Sequence, residues 1–386
     1  MNNKKIKLKE IAEVNMGQSP NGKSYNYIKK GMPFLQGNKT FGNLFPTIDT
    51  WTTEPKKIGR KSSILMSVRA PVGDLNVANQ DICIGRGLCS VEMFNENNMF
   101  IYYALKNSIN EIKRKSTGTV FDSINRKDIE EIELINFSKE QQNKIITILS
   151  TMDKKIELNN QINNNLEDEL DSLFYKYIWN NIENKRTNNF QHKILYDVFN
   201  VIDNRGKTPQ LTDYSKFPII DVKALSGEGR IINYNNCTKY VSEDVYNSFF
   251  RNGHPRKNDI LISTVGSLAE MKLFIENKGT IAQNVVALRP KIDYPLYLYQ
   301  YLKRIKNDLA SYNIGSVQPS IKVTQFMKHD IWLVPKEECT EFEEIARTYT
   351  DKLNLISKEN IILKQLRDTL LPKLMNGEID LDKIEI

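Results

Sequence analysis

Histidine and cysteine are scarce in this chain, three and four among 386 residues. The cysteines Cys83, Cys89, Cys237 and Cys339 show no CxxC spacing, and His192, His254 and His329 lie far apart. A sequence-local zinc site is thereby excluded, and reduced, structural thiols are expected. With histidines this sparse, no Ser/His/Asp or Cys/His set emerges either. No run of 18 or more apolar residues is present, so no membrane span is expected. The N-terminal Met1-Asn2-Asn3-Lys4-Lys5 leads into Ile6–Lys9 without the apolar core of a signal peptide, and a cytoplasmic protein is the expectation. An Asn-Pro-Pro-Tyr-like tetrad and a Gly-rich strand–turn signature are both missing, which argues against methyl transfer by this chain itself. What remains is an ordinary composition, 40% apolar and 26% charged, with a net charge of +7. That balance suits contact with nucleic acid without proving it.

What the chain does have is a domain-sized internal repeat, with an offset of about 197 residues. Ile84, Leu105, Lys106, Asn110, Gly118, Val120, Ser123 and Ile124 recur as Ile281, Leu302, Lys303, Asn307, Gly315, Val317, Ser320 and Ile321. Lys155, Leu158, Asn163, Leu166 and Leu173 recur as Lys352, Leu355, Asn360, Leu363 and Leu370. Two copies of one unit predict pseudo-twofold symmetry and two related binding sites. Each copy opens with an amphipathic segment and a turn, Leu8–Met16 before Gly17-Gln18-Ser19-Pro20 and Ile194–Asn204 before Gly206-Lys207-Thr208-Pro209. Short strands are expected over Ser62–Ser67 and Ile82–Val91, and again over Asn258–Ser263 and Gly279–Leu288. Helices should follow at Asn98–Lys115 and Leu296–Ser311. Next come Gly-led loops (Gly118–Ile124 and Gly315–Ile321) and closing strands at Ile132–Ile135 and Ile331–Val334.

The hydrophobic period then changes. Ile145, Leu149, Met152, Ile156, Asn159, Asn163, Leu166, Leu170, Leu173 and Tyr177 step by four and three. Phe342, Ala346, Tyr349, Leu353, Ile356, Asn360, Leu363, Arg367, Leu370 and Leu374 do the same. Such alternation is a heptad seam, and an Asn at the same step of each seam predicts a register-fixing polar residue. Ser138 with Gln141 reads as a capping box at the first helix start, and Pro372 and Gly377 mark the end of the second. If the two helices pair about a twofold axis, they run antiparallel. The 33-residue seam from Ile145 to Tyr177 would be roughly 50 Å long, on the order of 15 base pairs of duplex. One globule is then expected at each end. Lys154, Lys155, Glu157, Glu167, Asp168, Glu169, Lys358, Glu359 and Lys364 read as a solvated charged face or a docking face.

Two motifs suggest other chemistry. Gly17–Ser24 matches GxxxxGK[ST] letter for letter, but Pro20 interrupts it and Gly31-Met32-Pro33 follows too soon for the helix that a P-loop needs. Asp221-Val222-Lys223 after Pro218-Ile219-Ile220 suggests a nuclease core only faintly, and a surface strand end is expected there.

Taken together, the chain resembles the specificity subunits of Type I restriction–modification systems, along its whole length. The most specific stretch is Leu366-Arg367-Asp368-Thr369-Leu370-Leu371-Pro372-Lys373-Leu374-Met375-Asn376-Gly377-Glu378-Ile379, similar to the family's distal helical region. Its proximal counterpart is Gln141–Ile146 with Ile148–Ile156. The resemblance implies an α+β fold: two tandem α/β target-recognition domains (1–138 and 187–336), each followed by a helical spacer (139–186 and 337–386). The spacers would form an antiparallel coiled coil. It further implies that double-stranded DNA is bound as a split site and that methyltransferase subunits dock, one against each half. A restriction and translocase subunit can join. The chain is then not an enzyme, and S-adenosylmethionine, ATP and Mg are expected on partner subunits only. The competing expectations are a P-loop nucleotide-binding protein and a coiled-coil scaffold without a DNA role.

Base readout needs forked donors and amides, whereas phosphate contacts need Lys, Arg and backbone N–H groups. In the first copy the candidates are Gln36, Asn38, Lys39, Arg69 and Arg86. In the second they are Lys223, Thr264, Gln283 and Asn284. Gln283 stands at the repeat position of Arg86, as expected of two heads that read different bases.

Overall fold

The computed structural model describes residues 4–116, 123–184, 190–206, 208–315 and 317–384. The loop Gly118–Asp122, Lys207 and Ser316, singled out above, lie outside the described residues. The chain falls into two compact units, Met1–Asn159 with Asn360–Ile386, and Asn160–Glu359. Each unit takes a portion of both long helices.

Within the first unit, a four-stranded antiparallel sheet has the order Ala12–Met16, Leu88–Met93, Ile64–Ser67, Leu75–Val77. The second unit repeats it with Phe199–Ile202, Val285–Pro290, Asp259–Ser263 and Met271–Phe274. These strands form because short runs such as Ile64-Leu65-Met66 and Ile260-Leu261-Ile262 are buried on both faces, one against helices and one against a second small sheet. At about 1.5–3 kcal/mol per buried side chain, they anchor each core. The runs expected over Ile82–Val91 and Gly279–Leu288 each break in two, at residues 85–87 and 282–284. The first half of each joins the second sheet as a parallel partner, Phe34–Leu35 against Cys83–Ile84 and Ile219–Ile220 against Thr280–Ile281. The expected helices likewise divide, into Asn98–Asn107 and Ile109–Ser116, and into Pro295–Arg304 and Lys306–Ala310. All four cysteines are buried free thiols, and burial pushes Cys89 and Cys339 up to about 12.

The first long helix, Lys139–Phe174, starts at the expected capping box: Gln141 N donates to Ser138 Oγ (3.2 Å) and Ser138 N to Gln141 Oε1 (3.2 Å). The second, Lys336–Met375, carries Pro372 inside its last turns rather than beyond them, and Gly377 follows at φ +68°. In the first unit Ile145 and Leu149 share a core with Leu371, Leu374 and Met375. Arg367 Nη1 donates to Asp153 Oδ1 (2.7 Å) and Asn159 Nδ2 to Asn360 Oδ1 (2.9 Å). Numbers rise along one helix as they fall along the other, so the pairing is antiparallel. In the second unit Leu170 and Phe174 share a core with Phe342 and Ala346, with the rings of Phe174 and Phe342 edge to face at 5.2 Å. Ile156 and Leu353 are buried, whereas Met152, Leu166, Leu173, Ile356, Leu363 and Leu370 are half-buried.

The seam asparagines find different partners, and one expected seam position needs correcting. Asn360 bonds Asn159, because residues at equal steps do not face each other in an antiparallel pair; the Asn163 oxygen is buried without a protein partner. Tyr177 is exposed, since a π-helical turn over Tyr175–Trp179 inserts a residue and brings Ile178 inward instead.

Each unit also buries a polar node against its helices. In the first, Tyr103 Oη donates to Asp153 Oδ2 (2.7 Å). In the second, Arg230, wholly buried, donates to both Glu167 oxygens (3.0 Å each), to Thr350 Oγ1 (3.1 Å) and to Gln300 Oε1 (3.1 Å). Lys303 closes on Glu167 and Asp171. Burial alone would raise the Glu167 carboxyl, but the Arg230 charge and bonds and the Lys303 charge bring it down to about 2. Glu167 is therefore a buried ion-pair partner, not a member of the solvated face assigned above. Beside it, the Lys272 ammonium donates to the carbonyls of Gly227, Glu228 and Gly229.

Candidate nucleic-acid interface

In both units the polar candidates collect where the two parallel strands of the small sheet end. In the first unit these strands are Met32–Leu35 and Ile82–Ile84. They deliver Gln36 at the end of one and Gly85-Arg86-Gly87 at the end of the other. Gly85 N donates to Leu35 O (2.8 Å) and Gly87 N to Gln36 O (3.2 Å). The two glycines permit that approach: a Cβ on Gly85 would stand 2.9 Å from Gln36 Cα, and one on Gly87 would stand 2.7 Å from Gln36 O. The Gly17–Pro20 turn closes over the same point. Its Ser19 hydroxyl accepts from Gln36 Nε2 (2.9 Å) and from Arg86 N (3.2 Å).

The second unit repeats this with other residues. Phe217–Ile220 and Thr280–Ile281 deliver Asp221 and Ala282-Gln283-Asn284. Ala282 N donates to Ile220 O (2.9 Å), and Gln283 Nε2 donates to the Thr208 hydroxyl of the matching turn (3.0 Å). Thus a turn hydroxyl, Ser19 or Thr208, holds one of the sequence candidates in each copy. Neither hydroxyl was among the sequence candidates, although the echo of Gly-x-Ser/Thr-Pro between copies was the available signal.

Gln36, Lys39, Arg69 and Arg86 are exposed, as are Lys223 and Gln283. Arg69 follows Val68, whose N donates to Gly87 O (2.9 Å), so it flanks the Arg86 loop. Asn38 is half-buried and donates to Asp74 Oδ2 (2.6 Å). Lys223 sits just past the strand end, its N–H donating to Asp221 Oδ1 (3.0 Å), which caps a short helix, Val222–Leu225. Thr264 does not reach the surface. It is fully buried, and its N–H donates to Asn284 O (2.9 Å), so it holds the loop from beneath. The structure therefore brings Gln36, Arg69 and Arg86 together in one unit, and Gln283 and Asn284 with Asp221 in the other.

The P-loop expectation fails on local structure. Gly22–Ser24 is a single 3-10 turn that runs into the strand Tyr25–Asn26, so no helix N-terminus faces a phosphate. The Ser24 hydroxyl is buried between Asn21 O and Thr52 Oγ1 (2.7 Å each). No helix among the described residues is long and apolar enough to cross a membrane.

Comparison with known proteins places this geometry. Residues 1–168 and 187–366 both match the model of the Type I restriction modification DNA specificity domain. The type I restriction enzyme MjaX specificity subunit of Methanocaldococcus jannaschii is 40% identical over 148 residues; the match spans 38% of this chain and only 35% of that relative. The MjaIX specificity subunit of the same organism is 23% identical over 98% of this chain and 94% of its own length. Among solved structures, the Type I restriction–modification S subunit of M. genitalium shares the fold, with a TM-score of 0.63 over 96% of both chains at 20% identity. With the domain model matched twice across most of its length, the chain belongs to the Type I restriction–modification specificity subunit family.

Proposed function

We propose that this chain reads a bipartite DNA sequence, one half with each unit, and docks the methyltransferase subunits of a Type I restriction–modification complex without catalysing a reaction itself. One observation carries the reading. The same strand-end geometry recurs in both units, yet it presents Gln36 and Arg86 in one and Asp221, Gln283 and Asn284 in the other. A shared scaffold with divergent hydrogen-bonding side chains suits two heads that read different bases. Lys39, Lys223 and Arg69 lie exposed nearby and suit phosphate contacts, which position without specifying.

Methyltransferase docking is supported by a second repeat feature. Leu158 and Leu355 occupy equal repeat positions on the long helices, and both stand exposed, 55% and 67%. A leucine held outward in both copies suits a covering partner helix. The resemblance implies two methyltransferase subunits, a restriction subunit where one is encoded, and S-adenosylmethionine, ATP and Mg on those subunits.

The test is co-expression with the methyltransferase subunit, followed by duplex binding across a salt series. Tight, sequence-dependent binding by the complex and weak, salt-sensitive binding by the chain alone are expected. Equal affinity of the complex for all duplexes would overturn the DNA reading. Unchanged co-purification of the methyltransferase with a Leu158→Glu, Leu355→Glu chain would overturn the docking face.

A further inference from the structure

The two copies agree in one place and differ in another. At the strand ends Gln36, Arg86 and Gly87 give way to Asp221, Gln283 and Asn284, whereas the Gly-led loop keeps Gly118, Val120, Ser123 and Ile124 as Gly315, Val317, Ser320 and Ile321. Folding accounts for part of that identity in the second unit. Ile321 is buried in the core, and a Cβ on Gly315 would stand 1.9 Å from Gln318 O. Folding does not account for Val317, which is 97% exposed and packs on almost nothing of its own chain. The loop that holds it outward is firmly built. The Asn313 side-chain oxygen accepts from Gly315 N (3.0 Å) and from Ser320 N (2.9 Å), and Ile314 N donates to Ser320 O (2.9 Å). Beside Val317, the Gln318 N–H has no acceptor among the described residues.

The same loop is tied sideways to the strand-end site. Thr264 N donates to Asn284 O (2.9 Å), Ile321 N donates to Thr264 O (2.8 Å), and Gly266 N adds a bond to Pro319 O (3.0 Å). Adjacent extended segments stand about 4.7–4.9 Å apart, so these two steps carry the chain roughly 10 Å sideways from Asn284. The major groove is about 12 Å wide. With the strand-end residues in the groove, a segment at that distance meets its wall, the sugar–phosphate backbone. The first unit has the same ties, Val68 N to Gly87 O (2.9 Å) and Ile124 N to Val68 O (3.1 Å), and there the exposed Arg69 pairs with Ser123 at the end of the loop. The chemistry of the tip agrees. An aliphatic side chain reads no base edge except a thymine methyl, whereas a backbone N–H is a common phosphate donor. We infer that the second unit's loop Asn313–Ile321 lies along the sugar–phosphate backbone at the edge of the groove and grips duplex of any sequence there, with Val317 against deoxyribose and the Gln318 N–H toward a phosphate. A contact that both half-sites share accounts for a loop kept alike between copies whose strand ends differ. This inference rests on the DNA reading proposed above and adds the part of the duplex that the loop takes.

The experiment uses the full chain in complex with its methyltransferase subunit, as parent, Val317→Lys and Val317→Glu, with thermal melts to confirm folding. Each complex is titrated with a duplex selected by the parent and with an unrelated one, across roughly 50 to 200 mM salt. A lysine beside a phosphate adds about one contact, and so about 0.9 to the steepness with which log affinity falls against log salt. Val317→Lys is therefore expected to bind both duplexes more tightly than the parent, and to lose about 3.5-fold more affinity over that fourfold rise in salt. A damaged loop cannot imitate such a gain. Val317→Glu should weaken both duplexes alike, and selection from randomised duplexes should return the parent's sequence with either variant. A Val317→Lys complex that binds no more tightly, or whose salt dependence matches the parent's, overturns the inference while the DNA reading stands. A changed base preference overturns it too, by making the loop a base reader, and so does loss of the methyltransferase from the complex, by making it a docking element. A parent complex that binds no duplex sinks the DNA reading itself, and this inference with it.

Discussion

Replacing Glu167 by Gln should loosen the second unit by an amount the structure allows to be worked out. Glu167 is buried, and its carboxyl is held at about 2 against an ordinary 4.5. At about 1.4 kcal/mol per pKa unit, that gap corresponds to about 3 kcal/mol of preference for the ionised form. Glu167→Gln also leaves the wholly buried Arg230 without a carboxylate, and Arg230→Met leaves Glu167 with Lys303 alone; breaking a buried pair from one side costs roughly 3–5 kcal/mol. Glu167→Gln and Arg230→Met are each expected to cost about 3 kcal/mol or more. Replacing both should cost far less than the two costs added, because no orphaned charge remains. Hydrogen exchange of the helix Pro295–Arg304 provides the assay, since Gln300 on that helix accepts from Arg230. Exchange of its slow amides should accelerate by roughly two orders of magnitude in each single variant. The pH dependence has a definite sign. A carboxyl depressed on folding contributes its full stabilisation above about 4.5, and loses it as pH falls towards 2. The parent should therefore lose protection across that window more steeply than Glu167→Gln. Exchange that is unaffected by either substitution, or costs that simply add, would refute the ion-pair argument.

Three further outcomes follow from other contacts. Lys272→Met removes the donor for three loop carbonyls and should lower the stability of the second unit by about 2 kcal/mol or more, as read by denaturant midpoint; an unchanged midpoint contradicts the role. Asn360→Leu alone takes the acceptor from Asn159 and should destabilise the helix pair by about 1 kcal/mol, whereas Asn159→Leu with Asn360→Leu should recover or exceed the parent stability. Equal losses in both would show that the Asn–Asn bond has no such place in the pair. Arg86→Ala should weaken discrimination at one base of one half-site by about 1–3 kcal/mol, measured by selection from randomised duplexes, and uniform weakening over all sequences would instead make Arg86 a phosphate contact.

The repeat and the two long helices were legible because period is a property of the sequence itself. A step of four and three survives whatever packs on it, so Ile145, Leu149, Leu170 and Leu374 could be placed on an inner face before any contact was known. Pairing direction followed from symmetry. The positions that faltered were those where local geometry intervenes: the π-turn at Tyr175–Trp179 carried Tyr177 outward, and the breaks at residues 85–87 and 282–284 turned single runs into two strands. Those same breaks made the strand-end site, and their traces in the sequence are the glycines on either side of Arg86 and the polar Gln283-Asn284 inside an apolar run. Thr264 was misjudged because a strand-end position says nothing of depth. Glu167 was misjudged for a similar reason. Its partner Arg230 lies 63 residues away, and a carboxylate in a charged run looks solvated until the distant guanidinium is in place.

The two buried nodes sit at matching places in the copies but carry their charges on different residues. Asp153 and Thr350 hold equal repeat positions, as do Tyr103 and Gln300, and Lys106 and Lys303. Each set lies between a globule and its helices, yet the charges are distributed differently. The first node places its carboxylate at Asp153 and its guanidinium at Arg367. The second places its carboxylate at Glu167, whose repeat counterpart is Lys364, and its guanidinium on the globule, at Arg230. A globule is thus matched to its own helices by charge as well as by apolar shape. Grafting the second globule onto the helices of the first unit would set buried Arg230 near Lys364 in place of Glu167, and near Asp153, already engaged by Arg367 and Tyr103, in place of Thr350. The fork on Glu167 is then lost and a second cation faces the guanidinium. Such a chimera is expected to fold poorly until Lys364→Glu is added, with recovery read by thermal melting. A chimera as stable without that change would mean that the node does not discriminate between copies, and that apolar packing alone matches globule to helix.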